Sequence, residues 1–382
     1  MRIPSKLPRV GTTIFTRMSQ LAAEHRAVNL GQGFPDFEGP QELRDALTRA
    51  MDAGRNQYAP MAGIAPLREA IARKVSRCYG VNSDPETEIT VTSGATEAIF
   101  AAIAAVVSTG DEVIVLDPCY DCYEPAIELA GGRPVHVPLR PDGFGVDWQR
   151  VADAVTAHTR MILINSPHNP TGAVIGPGDL DALALIAERH DLLVLSDEVY
   201  EHIIFDGVAH CSVLAHPRLA ARSFVISSFG KTYHCTGWKV GYCIAPAVLS
   251  TEFRKVHQYL TFCTFTPAQF ALAEVLDTLP GHDQALPAFY AERRDRFRAL
   301  MSGSRFALPK VAGAYFQLAD YGAISGLGDL EFCEWMTREV GVAAIPLSSF
   351  YADPPPGQRL VRFCFAKTDA TLEAAASRLC AI

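Results

Sequence analysis

No stretch of the 382-residue chain approaches the ~18 to 20 consecutive apolar residues that span a bilayer. The amino terminus, Met1-Arg2-Ile3-Pro4-Ser5-Lys6-Leu7-Pro8, also lacks the apolar run of a secretory signal. Both absences point to a cytoplasmic protein with no membrane partner. Positive charge is short as well: 34 lysines and arginines stand against 42 aspartates and glutamates, a formal net charge of -8 that argues against a nucleic-acid surface. A small molecule is the expected partner. The ten cysteines are scattered, which favours reduced thiols over a disulfide framework. Cys119 and Cys122 form a CxxC, but no second pair accompanies them to build a zinc site, and no metal is expected. Internal repeats and low-complexity tracts are absent too.

What is present is enough apolar sequence, 49%, for more than one core, so two domains are expected at this length. Between Glu88 and Ala245 short β-branched runs alternate with helical ones. The runs are Ile89 to Thr92, Glu112 to Leu116, Pro134 to Pro138, Met161 to Ile164, Leu192 to Leu195, Ser223 to Ile226 and Tyr242 to Ala245. Seven such strands separated by helices predict an α/β fold, a mostly parallel sheet covered on both faces, with its ligand at the carboxyl ends of the strands. Beyond Pro246 the texture becomes α+β. Helices are expected over Leu249 to Leu260, Ala268 to Asp277 and Leu286 to Met301, the last a bridge into a smaller domain. Strands follow around Ala314 to Leu318, Val342 to Ile345 and Leu360 to Phe363, and a helix closes the chain from Asp369.

The chemistry gathers where those strands end. Ser227-Ser228-Phe229-Gly230-Lys231-Thr232 places a lysine after a strand, with hydroxyls before it and Lys239 beyond; this suits a Schiff base beside a phosphate pocket. A solvated loop lysine is the plainer alternative. Thr92-Ser93-Gly94-Ala95-Thr96 turns from strand into helix, so the Ala95 and Thr96 N–H groups and the Thr96 hydroxyl form an anion site, or only a turn. Asn165-Ser166-Pro167-His168-Asn169-Pro170-Thr171-Gly172 carries two X-Pro bonds whose cis form is accessible and would aim Asn169 into a cleft. Leu195-Ser196-Asp197-Glu198-Val199-Tyr200 ends a strand on an acid too costly to bury without a cation. A protonated pyridine nitrogen would serve; a magnesium site or a helix cap stays open.

Five ordered motifs, Asn169-Pro170-Thr171-Gly172, Asp197-Glu198-Val199-Tyr200, Ser228-Phe229-Gly230-Lys231, Gly237-Trp238-Lys239-Val240-Gly241 and Val361-Arg362-Phe363-Cys364, together resemble the fold-type I, pyridoxal-phosphate-dependent class I aminotransferases. The likeness extends over nearly the whole chain through Asn29 to Phe37, Asn56-Gln57-Tyr58 and Asp121 to Pro125, and is nearest the branch of kynurenine (glutamine) and bacterial methionine aminotransferases. The resemblance implies an aspartate aminotransferase-like fold: an amino-terminal arm and small-domain segment over 1–40, a large cofactor-binding domain over 41–280, and a small domain over 281–382.

By the same resemblance, Lys231 binds pyridoxal 5'-phosphate as a Schiff base and Asp197 pairs with its ring nitrogen. Asn169 and Tyr200 bond the phenolic oxygen, and Tyr120 stacks on the ring. Gly94, Ala95, Thr96, Ser228, Lys239 and, from the other subunit of a homodimer, Tyr58 hold the phosphate. Arg362 grips the substrate α-carboxylate with Gly33 and Asn169. Phe15 stands where some relatives have tryptophan. The implied reaction is ping-pong transfer of an α-amino group to a 2-oxo acid. For the released Lys231 to carry the Cα proton it must be neutral, so burial and nearby positive charge should lower its pKa. No second arginine is offered to an acidic side chain, while Phe15, Tyr58 and Tyr259 to Phe265 supply aromatic surface, or core. Methionine, aromatic amino acids, kynurenine or glutamine are therefore expected as donors. Two rival functions are a cysteine-S-conjugate β-lyase and a non-catalytic regulator on the same fold. The second would have lost Lys231, Asp197 or Arg362, all of which stand.

Overall fold

The computed structural model describes residues 3–382. Seven strands form the large sheet: β1 (Ile89–Thr92), β2 (Glu112–Asp117), β3 (Arg133–Pro138), β4 (Thr159–Asn165), β5 (Leu193–Asp197), β6 (Ser223–Ser228) and β7 (Gly241–Ile244). Their order across the sheet is β1-β7-β6-β5-β4-β2-β3, and every pairing is parallel except those of β7 with its two neighbours. Side chains alternate between two cores, as a pleated strand requires. Ile114, Leu116, Ile162, Ile164 and Val194 face one; Val113, Val115, Met161, Leu163 and Leu195 face the other. Both faces are thus covered by helices, which is why these strands read as unbroken apolar runs.

This topology positions the site. The parallel strands β2, β4, β5 and β6 end at one edge of the sheet, on Asp117, Asn165, Asp197 and Ser228. Because β7 runs the other way, its first residue, Gly241, lies at that same edge, paired with Ser228 on one side and Thr92 on the other. A Cβ on Gly241 would come within 2.8 Å of the Ser227 carbonyl and 3.0 Å of the Ala95 nitrogen, so this junction closes only around a glycine.

A further core joins chain segments far apart in sequence. Met18, Leu21 and Leu30 pack with Leu286, Tyr290, Phe297, Phe316, Phe332 and Phe363. The helix Ile14–Glu24, capped by the Thr13 hydroxyl, delivers Met18 and Leu21 to it. The strand expected over Val342 to Ile345 is divided between two sheets: Val342–Ala343 pairs in parallel with Val28–Asn29, and Ile345–Pro346 pairs antiparallel with Leu360–Cys364. Ala344 is the point of change, fully buried and small enough to pass between them. Phe316–Asp320 completes the three-stranded sheet, two residues later than the sequence suggested. The bridging helix runs His282–Leu300, starting a turn earlier than expected and accommodating Pro287. Among the described residues no helix is long and apolar enough to cross a membrane.

Candidate active site

A cleft of about 330 Å³ lies between the strand ends and the core that joins distant chain segments. Phe15, Gly33, Gly94, Ala95, Thr96, Tyr120, Asn169, Asp197, Tyr200, Ser228, Lys231, Lys239 and Arg362 all line it. Of the expected site residues only Tyr58 lies elsewhere, 83% exposed and edge-on to Phe262.

One end of the cleft is an anion cradle. The helix Ala95–Val106 begins without a side-chain cap, leaving its first N–H groups uncommitted beside the positive end of its dipole. Gly94 enters it at φ +82°, and a Cβ there would stand 3.3 Å from the Lys239 ammonium. Lys239 itself is left-handed, at φ +53°, and the Ser228 hydroxyl accepts from the Gly230 N–H at 3.2 Å while facing the same space. Backbone donors, a hydroxyl and an ammonium converging at a helix start is the chemistry of a phosphate site.

Asp197 occupies the floor. Its Oδ2 accepts from the Tyr123 hydroxyl at 2.7 Å and its Oδ1 from the Val199 N–H at 3.3 Å. Among the described residues no cation touches it, and burial pushes its pKa up to about 6. A buried acid denied a counter-charge and turned toward a cleft is fitted for a cationic ligand. The adjacent acid, Glu198, turns the other way and accepts from Ser196, His210 and the Val213 N–H, so the pair makes no magnesium site.

Lys231 sits in a single helical turn, Phe229–Thr232, started by Ser228. Its amine donates to the Gly33 carbonyl at 3.2 Å and lies 5.5 Å from the ring centres of both Tyr200 and Tyr315. Burial pulls its pKa down to about 8, with Arg362 and Lys239 adding to the effect. Lowering by burial and positive neighbours is what the sequence led us to expect.

Arg362 projects from Leu360–Cys364 opposite the buried Val361 and Phe363. Nη1 donates to Asn169 Oδ1 at 2.7 Å and Nη2 to the Gly31 carbonyl at 2.8 Å, while Nε has no partner. The guanidinium lies 4.0 Å from the Phe316 ring centre and 5.3 Å from that of Phe15. Among the described residues no carboxylate pairs with this buried cation, which is ready for one that enters with a ligand. Arginine only donates, so Asn169 must turn its oxygen to Arg362 and keep its amide hydrogens for another acceptor. Ser166-Pro167 and Asn169-Pro170 are both cis, as is Asp117-Pro118.

Sequence reasoning assigned no role to several residues found here. Asn165 donates to the Asp197 carbonyl at 2.8 Å and accepts from the Asn169 N–H at 2.8 Å, tying two motifs together. Tyr123 holds Asp197, and Tyr315 caps the Gly33 carbonyl at 2.6 Å. Asn165 and Tyr123 lay inside stretches already singled out; Tyr315 carried no signal beyond an aromatic in a strand. Cys119 and Cys122 are both free thiols, and Cys119 lies close to Asp117 and His136.

An α/β fold with a phosphate cradle, a buried acid below and a carboxylate-ready arginine above defines a pyridoxal-phosphate-dependent enzyme acting on amino acids, and the donors present fit that cofactor. Comparison with known proteins agrees. The model of the family "Aminotransferase class I and II" matches residues 25–379, and the chain belongs to that family; it is an amino-acid aminotransferase. It is 55% identical to the methionine aminotransferase of Escherichia coli (strain K12), over 98% of this chain and 97% of that one. It is 45% identical to "Probable N-succinyldiaminopimelate aminotransferase DapC" of Mycobacterium tuberculosis (strain CDC 1551 / Oshkosh), over 98% and 97%. The solved structure of YbdL from Escherichia coli, described as having a methionine aminotransferase function, superposes with a TM-score of 0.98 at 54% identity, covering all of both chains. These relatives favour neither the β-lyase nor the regulator.

Proposed function

We propose that the enzyme takes the α-amino group from methionine or from aromatic, kynurenine- or glutamine-type amino acids and passes it to a 2-oxo acid in a ping-pong cycle. The observation that carries this reading is the inventory of charge in the cleft. Among the described residues its lining cations are Lys231, Lys239 and Arg362, and its lining rings include Phe15, Tyr120, Tyr200 and Phe316. With Arg362 spent on the α-carboxylate, Lys231 on the cofactor and Lys239 on its phosphate, none of these cations is left for a second carboxylate, and apolar side chains gain from burial against the rings.

In this reading Lys231 holds the cofactor covalently, and Gly94, Ala95, Thr96, Ser228 and Lys239 hold its phosphate. Asp197 faces the ring nitrogen, Asn169 and Tyr200 the phenolic oxygen, and Tyr120 the ring face. When bound, pyridoxal phosphate supplies the ring that takes up the electrons released at the amino acid's Cα. Arg362, with Asn169 and Gly33, fixes the α-carboxylate so that Cα stands before the freed Lys231 amine. That amine, pulled down to about 8, is neutral often enough near pH 7 to 8 to lift the proton and return it.

Tyr58 completes the phosphate site from the second subunit of a homodimer; its exposure, beside the likewise exposed Tyr259, Phe262 and Phe265, supports this. Residues 1–40 and 281–382 form the smaller unit and 41–280 the cofactor-binding one. A cytoplasmic location accords with the amino-acid and oxo-acid substrates. The test of donor class is a titration of the yellow enzyme with methionine, phenylalanine, kynurenine, glutamine and aspartate. Methionine and the aromatic donors are expected to discharge the colour at concentrations where aspartate does not. Equal response to aspartate would refute the apolar-pocket reading.

A further inference from the structure

The Gly33 carbonyl accepts two hydrogen bonds at once, from the Lys231 amine at 3.2 Å and from the Tyr315 hydroxyl at 2.6 Å. The amine also lies between two aromatic faces, those of Tyr200 and Tyr315. Among the described residues it forms no ion pair, and both oxygens of Asp197 are engaged by Tyr123 and Val199. Tyr315 is fully buried, packed edge-on against Tyr200 at 5.1 Å and tilted against Tyr290 at 5.7 Å, and its carbonyl accepts from the Phe365 N–H. The segment bearing Gly33 is pinned on both sides, by Arg362 at the Gly31 carbonyl and by Lys367 at the Phe34 carbonyl.

We propose that Tyr315 is a positioning residue for Lys231: its hydroxyl fixes the Gly33 carbonyl as the rest on which the lysine amine is aimed whenever it is not bonded to the cofactor. A carboxylate in that place would hold the amine as an ammonium, unable to take a proton. A neutral carbonyl and two ring faces hold it in place with far less preference for charge. The groups that bear on its charge are Arg362 and Lys239, which disfavour the ammonium, and Asp197 and Cys364, which favour it. None of them touches the amine, so its direction is left to the Gly33 carbonyl, which Tyr315 holds directly within a segment pinned at Gly31 and Phe34.

The inference rests on Lys231 as the cofactor-bearing residue, and its test separates the two. Tyr315→Phe keeps the ring and the packing and removes only the hydroxyl. Two rates depend on an aimed, neutral amine. One is the return of yellow colour when pyridoxal phosphate is added to cofactor-free protein, where the amine condenses with the aldehyde and one water leaves. The other is the single turnover of Cα-protonated against Cα-deuterated methionine, where the amine takes the Cα proton. We expect both to slow about five- to tenfold, the deuterium effect to grow as proton transfer becomes limiting, and the final absorbance and cofactor retention to stay as in wild type. Tyr290→Phe, whose hydroxyl faces His234 at 3.4 Å rather than Gly33, controls for loosening of the same aromatic cluster and is expected to leave both rates unchanged. Wild-type rates and isotope effect in Tyr315→Phe, or equal slowing in the two variants, would overturn the proposal. A wild-type protein that never turns yellow would instead refute Lys231 itself.

Discussion

Asp197 should cost the cofactor-free enzyme stability, and the cost can be sized. Burial lifts its pKa from an ordinary 3.8 to about 6. A carboxyl raised on folding penalises the folded state once the pH exceeds the unfolded value, and the penalty is complete above the folded one. The gap corresponds to about 3 kcal/mol at pH 8 and about 1 kcal/mol near pH 4.5. Asp197→Asn removes that penalty but disturbs the bonds from Tyr123 and Val199, at a cost of about 1 kcal/mol. In urea unfolding of cofactor-free protein the variant should therefore be more stable than wild type by about 2 kcal/mol at pH 8 and roughly equal to it near pH 4.5. The same variant should have lost most of its transaminase activity, because the charge offered to the cofactor ring is gone. An Asp197→Asn protein no more stable than wild type at pH 8 would refute the view that this acid is held ready for a cation.

Behind the cradle, the buried Lys74 and Glu201 meet at 2.6 Å, with Tyr242, Ser227 and Tyr79 on the same carboxylate. Burial pushes Glu201 up, but Lys74, His202 and the Ser227 hydroxyl together hold its carboxyl far below the usual range; burial pulls Lys74 down, but Glu201 and Tyr242 together hold it above its own. The contribution is then present above the ordinary carboxylate pKa of about 4.3 and lost only as the pH falls below it. Glu201→Gln should cost about 3 to 5 kcal/mol in urea unfolding at pH 7, much of it recovered by adding Lys74→Met; an unaffected single variant would contradict this. Arg362→Lys keeps the charge but loses the fork. In steady-state assays with methionine, kcat/KM should fall ~100-fold, about 3 kcal/mol, with the yellow colour retained. Loss of the cofactor instead would remove Arg362 from the carboxylate role.

The large sheet was legible because its strands are buried on both faces, and Asp197, Asn169 and Lys231 because each ends such a strand or lies within four residues beyond one. Arg362 needed the family resemblance, since an arginine on a late strand carries no signal of its own. What escaped the sequence depends on contacts between distant segments. The helix Ile14–Glu24 joins a core built mostly from residues beyond Leu286. Ala344 divides one apolar run between two sheets. Tyr315 meets Gly33 across 282 residues of sequence. Local pattern records which face of an element is buried, not what will be packed against it.

The claim beneath all of this is that Lys231 is the residue that carries pyridoxal phosphate and does its chemistry on amino acids. The visible spectrum of wild-type and Lys231→Ala proteins, each supplied with pyridoxal phosphate and then with methionine, tests it most directly. We predict a yellow wild type that methionine discharges, and a Lys231→Ala protein that lacks the wild-type absorbance and sustains no turnover. A variant with the wild-type spectrum and the wild-type response to methionine would place the bond on another residue and contradict the account.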